Sequence, residues 1–289
     1  MQKRFAQFIL SAFLLASAQL AISQHHGLGR PVAIDKLPSG SLYVLDAQGE
    51  VHAVDFPGGQ PVVTGSFHFN KEWASADIVS AQLNGQNVLF LAANYGQTGE
   101  ISLYSVTGQL LKPSWTLPGG VSSLAYDAAH SILYAASGRT PEIMRIDVNG
   151  NTGPELLART PGSQRLGPIL FDAKHNALLA EDLVLGAIYK VDISQRKATF
   201  LCGGLRSASA MRFSADGSLL FVSDDVSEDV LTFSMAQPKS APRIFAKLSQ
   251  FSSPSGLAWA GDRLVVSDDG ARKLFFLSRS GSLVDTLPK

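Results

Sequence analysis

Residues 209–235 read SAMRFSADGSLLFVSDDVSEDVLTFSM. Three short apolar runs stand in this stretch: AMRF, LLFVS and VLTFSM. The turn ADGS (215–218) separates the first pair, and the acidic loop DDVSED (224–229) separates the second. Short runs rich in β-branched and aromatic residues, joined by such turns, predict an antiparallel meander.

The middle run recurs along the chain as LYVLD (42–46), LFLAA (89–93), LYAAS (133–137), LLAED (178–182), LFVSD (220–224) and LVVSD (264–268). The last residues of these runs lie 47, 44, 45, 42 and 44 positions apart. A period in the forties with several strands per repeat is the signature of propeller blades. Each run is preceded by another (VAID, DIVS, LAYD, ILFD, MRFS, LAWA) and followed by two more, so a repeat holds four strands. The expected fold is an all-β, six-bladed propeller of four-stranded antiparallel blades. The blades fall at about 31–67, 73–118, 119–160, 164–205, 206–248 and 251–289. Six repeats leave no room for a second domain. One blade exposes both faces of a small sheet, and a ring buries each face against its neighbour. The sixth repeat supplies all its own strands, so 24–31 is the candidate segment for clasping the ring, by pairing with an outer edge.

The beginning of the chain carries a different message. Lys3 and Arg4 precede the apolar run 5–18, and no further charge occurs before Arg30. Ala21 and Ser23 stand at the −3 and −1 positions of a cleavage site, which predicts a signal peptide over 1–23. The run falls short of the roughly 20 residues that span a bilayer. Cleavage would remove two cations and no acid, leaving a net charge of −2. The expected location is therefore extracytoplasmic, periplasmic or secreted, with no membrane attachment after cleavage. Cys202 is the only cysteine, so an exported fold must hold by packing without an internal disulfide. A formal charge of zero, with no run of like charges, supplies no basic face for phosphates and excludes nucleic acid as a partner.

In a propeller the loop after the second strand and the connection between blades open on one face. Asp46, Glu181 with Asp182, Asp224 with Asp225, and Asp268 with Asp269 collect there. Asn94, Ser137 and Arg139 hold the corresponding region of the other blades, and Trp73 lies on the connector before blade two. Asp46, Trp73, Asn94, Asp182, Asp224 and Asp268 are accordingly the candidate ligand-binding residues. Converging carboxylates suit calcium or another divalent cation, the one cofactor this pattern would accommodate. They equally suit a small polar ligand. The competing reading is that each aspartate ends its strand by accepting N–H groups from the next turn.

The repeats resemble NHL-type repeats and the wider six-bladed propeller superfamily that includes gluconolactonase-like enzymes. The likeness is clearest in SPSGLAWAGDRLVVSDDGARKLFFLSRSG (253–281) and extends over nearly all the mature chain. The gluconolactonase-like resemblance implies a divalent cation over the channel, held by a glutamate, two asparagines and an aspartate near the starts of innermost strands. Ser122, Ser209, Ser255, Arg30, Ala76 and Gly167 occupy those starts here, so that ligand set is not recognisable.

Other catalytic patterns are absent. His130 and His175 fall in hairpin turns at the opposite face, His52 belongs to a third strand and His68 to a connector. No Gly-x-Ser-x-Gly elbow and no phosphate-cradling glycine loop occurs. Cleavage after Ser23 would leave Gln24-His25-His26, a square-planar donor set for Cu(II) or Ni(II). The reading that follows is an exported, monomeric scaffold that binds a protein or small polar ligand. Its alternative is a divalent-cation-dependent lactone or ester hydrolase.

Overall fold

The computed structural model describes residues 28–69, 74–162 and 165–289. The signal segment 1–23, the Gln24-His25-His26 terminus and Trp73 lie outside the described residues. Blade one is β1–β4 (Pro31–Lys36, Leu42–Asp46, Glu50–Asp55, Val62–His68) and blade two is β5–β8 (Ala74–Leu83, Gln86–Tyr95, Thr98–Ser105, Leu110–Pro118). Blade three is β9–β12 (Ser123–Asp127, Ile132–Ala136, Glu142–Asp147, Glu155–Arg159) and blade four is β13–β16 (Leu166–Asp172, Ala177–Asp182, Ala187–Asp192, Lys197–Gly203). Blade five is β17–β20 (Ala208–Phe213, Leu219–Asp224, Asp229–Ser234, Arg243–Ala246). Blade six is β21–β24 (Pro254–Ala260, Arg263–Asp268, Lys273–Leu277, Leu283–Leu287). Each sheet is antiparallel with its strands in chain order, so the chain is a six-bladed β-propeller.

Turn chemistry sets each blade's first hairpin. In blade two the two-residue turn Asn84-Gly85 has φ of 50° and 78°, the paired positive values that match the twist of the flanking strands. Gly217 (φ 71°) serves the ADGS turn of blade five. The second strands read as near-continuous apolar runs because both of their faces are covered: LYVLD of β2 and ILYAA of β10 are buried throughout.

Six apolar cores result, one at each junction between blades. Phe90 and Leu133 meet between blades two and three, and Phe221, Leu257 and Phe275 between five and six. Removing a large side chain from such a core costs about 3–5 kcal/mol. Trp259 adds a directional contact, donating Nε1–H to Phe213 O of blade five at 2.8 Å. Cys202 is buried between blades four and five, and burial pushes its thiol up to about 12.

Among the described residues no strand is exchanged to close the ring. The described part of the 24–31 segment runs inside the ring, where Pro31 opens innermost strand β1, and does not pair with an outer edge. Leu28 is buried in the core shared by blades one and six. Arg30 O accepts Ala47 N–H at 2.8 Å, and Ser255 Oγ of blade six donates to Pro31 O at 2.6 Å. The Arg30 guanidinium forks onto both oxygens of Asp269 at 2.8 and 2.7 Å. Packing and this strap hold the seam.

Candidate functional site: the turn face and the channel

The turns after the second strands gather on one face of the ring, and the structure turns their acids inward. Asp46, Asp182, Asp224 and Asp268 end their strands almost wholly buried. Asp268 accepts three backbone N–H groups, from Ser252 and Ser253 at 2.9 Å and from Ala271 at 2.7 Å. Asp224 accepts Arg206 and Ser207 on one oxygen and Ser227 on the other. Oδ1 of Asp182 accepts Val184 and Leu185, and Oδ1 of Asp46 accepts Gln48 and Glu50. Asn94 both donates to and accepts from the Val121 backbone, at 2.8 and 2.7 Å, tying blade two to the connector of blade three. All five polar residues of the sequence-derived set thus sit beneath the face and fix its turns.

The turns present large apolar side chains to solvent in three blades, beside exposed Gln48, Gln97, Arg139, Glu228 and Arg272. Tyr95 (64% exposed), Val184 (65%), Leu185 (55%) and Val226 (58%) stand at the turns of blades two, four and five. Other exposed apolar residues, such as Phe200 and Ile244, belong to outermost strands spaced around the rim. Large apolar groups gathered on one face mark interaction surfaces more often than scattered ones do.

Glu181 lies just before Asp182 and is completely buried. Its Oε1 accepts Ala208 N–H at 3.2 Å, while Oε2 has no hydrogen-bond partner. Burial, reinforced by Asp182, Asp224 and Asp225, pushes it up to about 8, so it is protonated at neutral pH. Gly167 makes room for it: a Cβ there would collide with Oε2.

The channel is lined by the free edges of the innermost strands, and side chains from the preceding blade satisfy some of their N–H groups. Asp77 Oδ2 accepts Leu124 N–H at 2.7 Å and the Ser123 hydroxyl at 2.9 Å. Ser123 Oγ in turn accepts Ile169 N–H at 3.1 Å. Asp35 Oδ2 accepts Ser80 N–H at 2.7 Å, and its Oδ1 meets Arg212, which reaches from blade five, at 2.8 Å. Burial pushes Asp77 up to about 6 against the pull of its N–H and hydroxyl donors.

The sequence reading missed Asp77, Asp35, Arg212 and the burial of His52. A signal existed for the first. Asp77 shares its ladder position with Ala33, Ser123, Ala210 and Gly256, all small, so a carboxylate there breaks the repeat. His130 and His175 lie in hairpin turns, with Nδ1 at 2.6 and 2.7 Å from Asp127 and Asp172.

Comparison with known proteins bears on the fold alone. No protein-family model matches the chain. No curated protein matches it either. Solved structures do. A chain of the nidogen/laminin complex superposes with a TM-score of 0.68 at 15% identity, covering 83% of this chain and 90% of that one. Virginiamycin B lyase from Staphylococcus aureus superposes with a TM-score of 0.63 at 14% identity, covering 92% and 86%. The fold is shared by a binding assembly and a lyase. At these identities neither activity transfers.

The channel cation implied by the gluconolactonase-like resemblance finds no fit. The cavity at the channel is about 40 Å³, lined by Ser122, Ser123, Ser209 and Ser255 with Asp77 as its sole carboxylate. Both oxygens of Asp77 are engaged by N–H and hydroxyl donors, which leaves no set of six oxygens. This section of the channel suits a few waters, while a cavity of about 550 Å³ beside it, lined by Asp35, Ser80, Tyr126 and Arg212, is within the size range of small-molecule sites.

Proposed function

We propose that the chain is an exported, monomeric propeller that binds another protein through its turn face. The observation that carries this reading is the exposure of Tyr95, Val184, Leu185 and Val226 on turns whose strand-ending residues Asn94, Asp182 and Asp224 are held beneath them by backbone hydrogen bonds. The capped residues Asp46, Asn94, Asp182, Asp224 and Asp268 contribute by holding the turns in shape. Trp73, the aromatic candidate of the sequence reading, lies outside the described residues. The partner presents apolar side chains to this patch with a polar surround, the usual anatomy of a protein interface. The signal-like sequence at 1–23 supports an encounter outside the cytoplasm, and among the described residues no helix is long and apolar enough to cross a membrane. The nidogen/laminin likeness supports the reading at the level of architecture, since that propeller-like chain occurs in a protein–protein complex.

The test is site-specific photo-crosslinking in the exporting cell, with the reactive group at position 184 on the face or at position 244 on the rim. A discrete protein adduct from 184, reduced at least tenfold by Tyr95→Ser with Val226→Ser and absent from 244, is the expected outcome. Adducts from 244 alone, or equal adducts from both positions, would overturn the assignment of the face. So would the absence of any adduct at 184.

A further inference from the structure

His52 is an anomaly of blade one. It lies in β3 opposite Val44, with no solvent exposure, and neither ring nitrogen has a hydrogen-bond partner. The other blades fill the same ladder position with Ser102, Met144, Tyr189, Leu231 and Phe275. With Asp46 Oδ2 near Nε2 but beyond hydrogen-bond length, the buried imidazole forfeits hydration without a hydrogen bond in return, a cost of about 1–3 kcal/mol for each polar group. A ligand that takes up the lone pair removes part of that cost.

The neighbours of His52 are metal-binding groups. Asp46 and Glu50 flank the β2–β3 turn, and one ligand atom from each of Asp46, Glu50 and His52 lies within 4.8 Å of the others. Asp46 uses Oδ1 to cap its turn, leaving Oδ2 at 3.6 Å from His52 Nε2. That separation is long for a hydrogen bond. It is close to the roughly 3.4 Å between two ligands of one tetrahedral zinc with bonds near 2.1 Å. Glu50 is partly exposed and accepts the Ser66 hydroxyl at 2.7 Å, so it supplies the second carboxylate from the solvent side. Gly29 of the N-terminal strap lies over the cluster: a Cβ there would collide with Asp46 Oδ2 and approach Gln48 Oε1 at 2.9 Å.

The geometry points to a first-row divalent metal site, of zinc type, formed by Asp46 Oδ2, Glu50 and His52 Nε2 at the seam of the ring. One imidazole and two carboxylates exclude calcium as the preferred ion and suit zinc, cobalt or manganese. The ion would lie beneath the strap that joins blade one to blade six, and so act as a clasp where no strand is exchanged. This site is separate from the channel and from the exposed turn tips, and it does not depend on the binding role of that face.

The experiment uses the full mature chain with His25→Ala and His26→Ala in every sample, so the terminus contributes no imidazole. Chelator-stripped protein is titrated with zinc by calorimetry, and with cobalt by visible absorption. One zinc per chain is expected, with visible cobalt bands of a nitrogen–oxygen site and a melting temperature raised by at least about 5 °C at a hundredfold excess over Kd. His52→Leu, which restores the residue type of blade five, should abolish stoichiometric zinc binding while keeping the fold. Glu50→Gln, at a partly exposed position, should weaken it at least tenfold. Absence of stoichiometric zinc binding would overturn the proposal. So would a site whose affinity and cobalt spectrum survive both His52→Leu and Glu50→Gln.

Discussion

Asp268 and Glu181 are both completely shielded from solvent at the ends of second strands, and their chemistry diverges. Asp268 receives three N–H donors, while Glu181 receives one and leaves Oε2 without a partner. Burial alone penalises the charged form of either group. A ring of other acids deepens that penalty for Glu181, whereas three N–H donors surround Asp268. The difference teaches that carboxylates on this face are sorted by the turns around them. Those that end a strand before a tight turn accept its N–H groups, and the one aimed between blades is pushed toward its neutral form.

The sharpest way to break this contrast is to remove the cap. Asp268→Ala strands three buried N–H groups and should destabilise the protein by about 3–4 kcal/mol in chemical denaturation, with Asp268→Asn losing less. A loss under about 1 kcal/mol would mean that the cap is ornamental.

Glu181 predicts the opposite response to pH. Its folded pKa of about 8 lies above the unfolded value of 4.5, so the unfolded chain releases the proton first. This contribution to stability is fully present below pH 4.5 and is lost as pH rises toward 8, at up to about 1.4 kcal/mol per unit. Glu181→Gln keeps an acceptor for Ala208 N–H and should flatten that slope, gaining roughly 2–4 kcal/mol relative to the parent at pH 8. Parallel pH profiles for the two proteins would show that Glu181 is ionised when folded.

The cross-channel pair offers a smaller and finer test. Arg212 and Asp35 remain partly solvated, with side-chain exposures of 26% and 17%. A double-mutant cycle with Arg212→Met and Asp35→Asn should give a coupling of about 1 kcal/mol, reduced by salt. A coupling near zero would make the bridge incidental, and Asp35 would matter only through Ser80 N–H.

Much of the architecture was legible before any coordinates, because a ring of blades repeats its strand pattern. The end of LFVSD recurs as LVVSD 44 residues later, and each copy confirms the others. The capping role of Asp224 and Asp268 was legible for the same reason, as one of two readings of an inherited turn. Departures confined to one blade were hidden. Asp77 and His52 fit their strands as letters, and only the ladder shows that they replace small or mostly apolar residues. Arg212 and Asp35 are 177 positions apart, and their contact follows from ring closure rather than from local pattern. The seam stayed open in the sequence because the strap carrying Leu28 and Arg30 is too short to show a strand pattern of its own.

The central claim is that Asp182, Asp224 and Asp268 are caps and that partner binding belongs to the apolar side chains exposed on the same turns. The most direct measurement is a thermal melt of the chelator-stripped mature protein titrated with calcium, an ion that would choose clustered carboxylates. The account predicts an unchanged melting temperature for the parent and for Asp182→Asn alike. A saturable rise with calcium that disappears in Asp224→Ala would contradict it, and would make the acids of this face a ligand site.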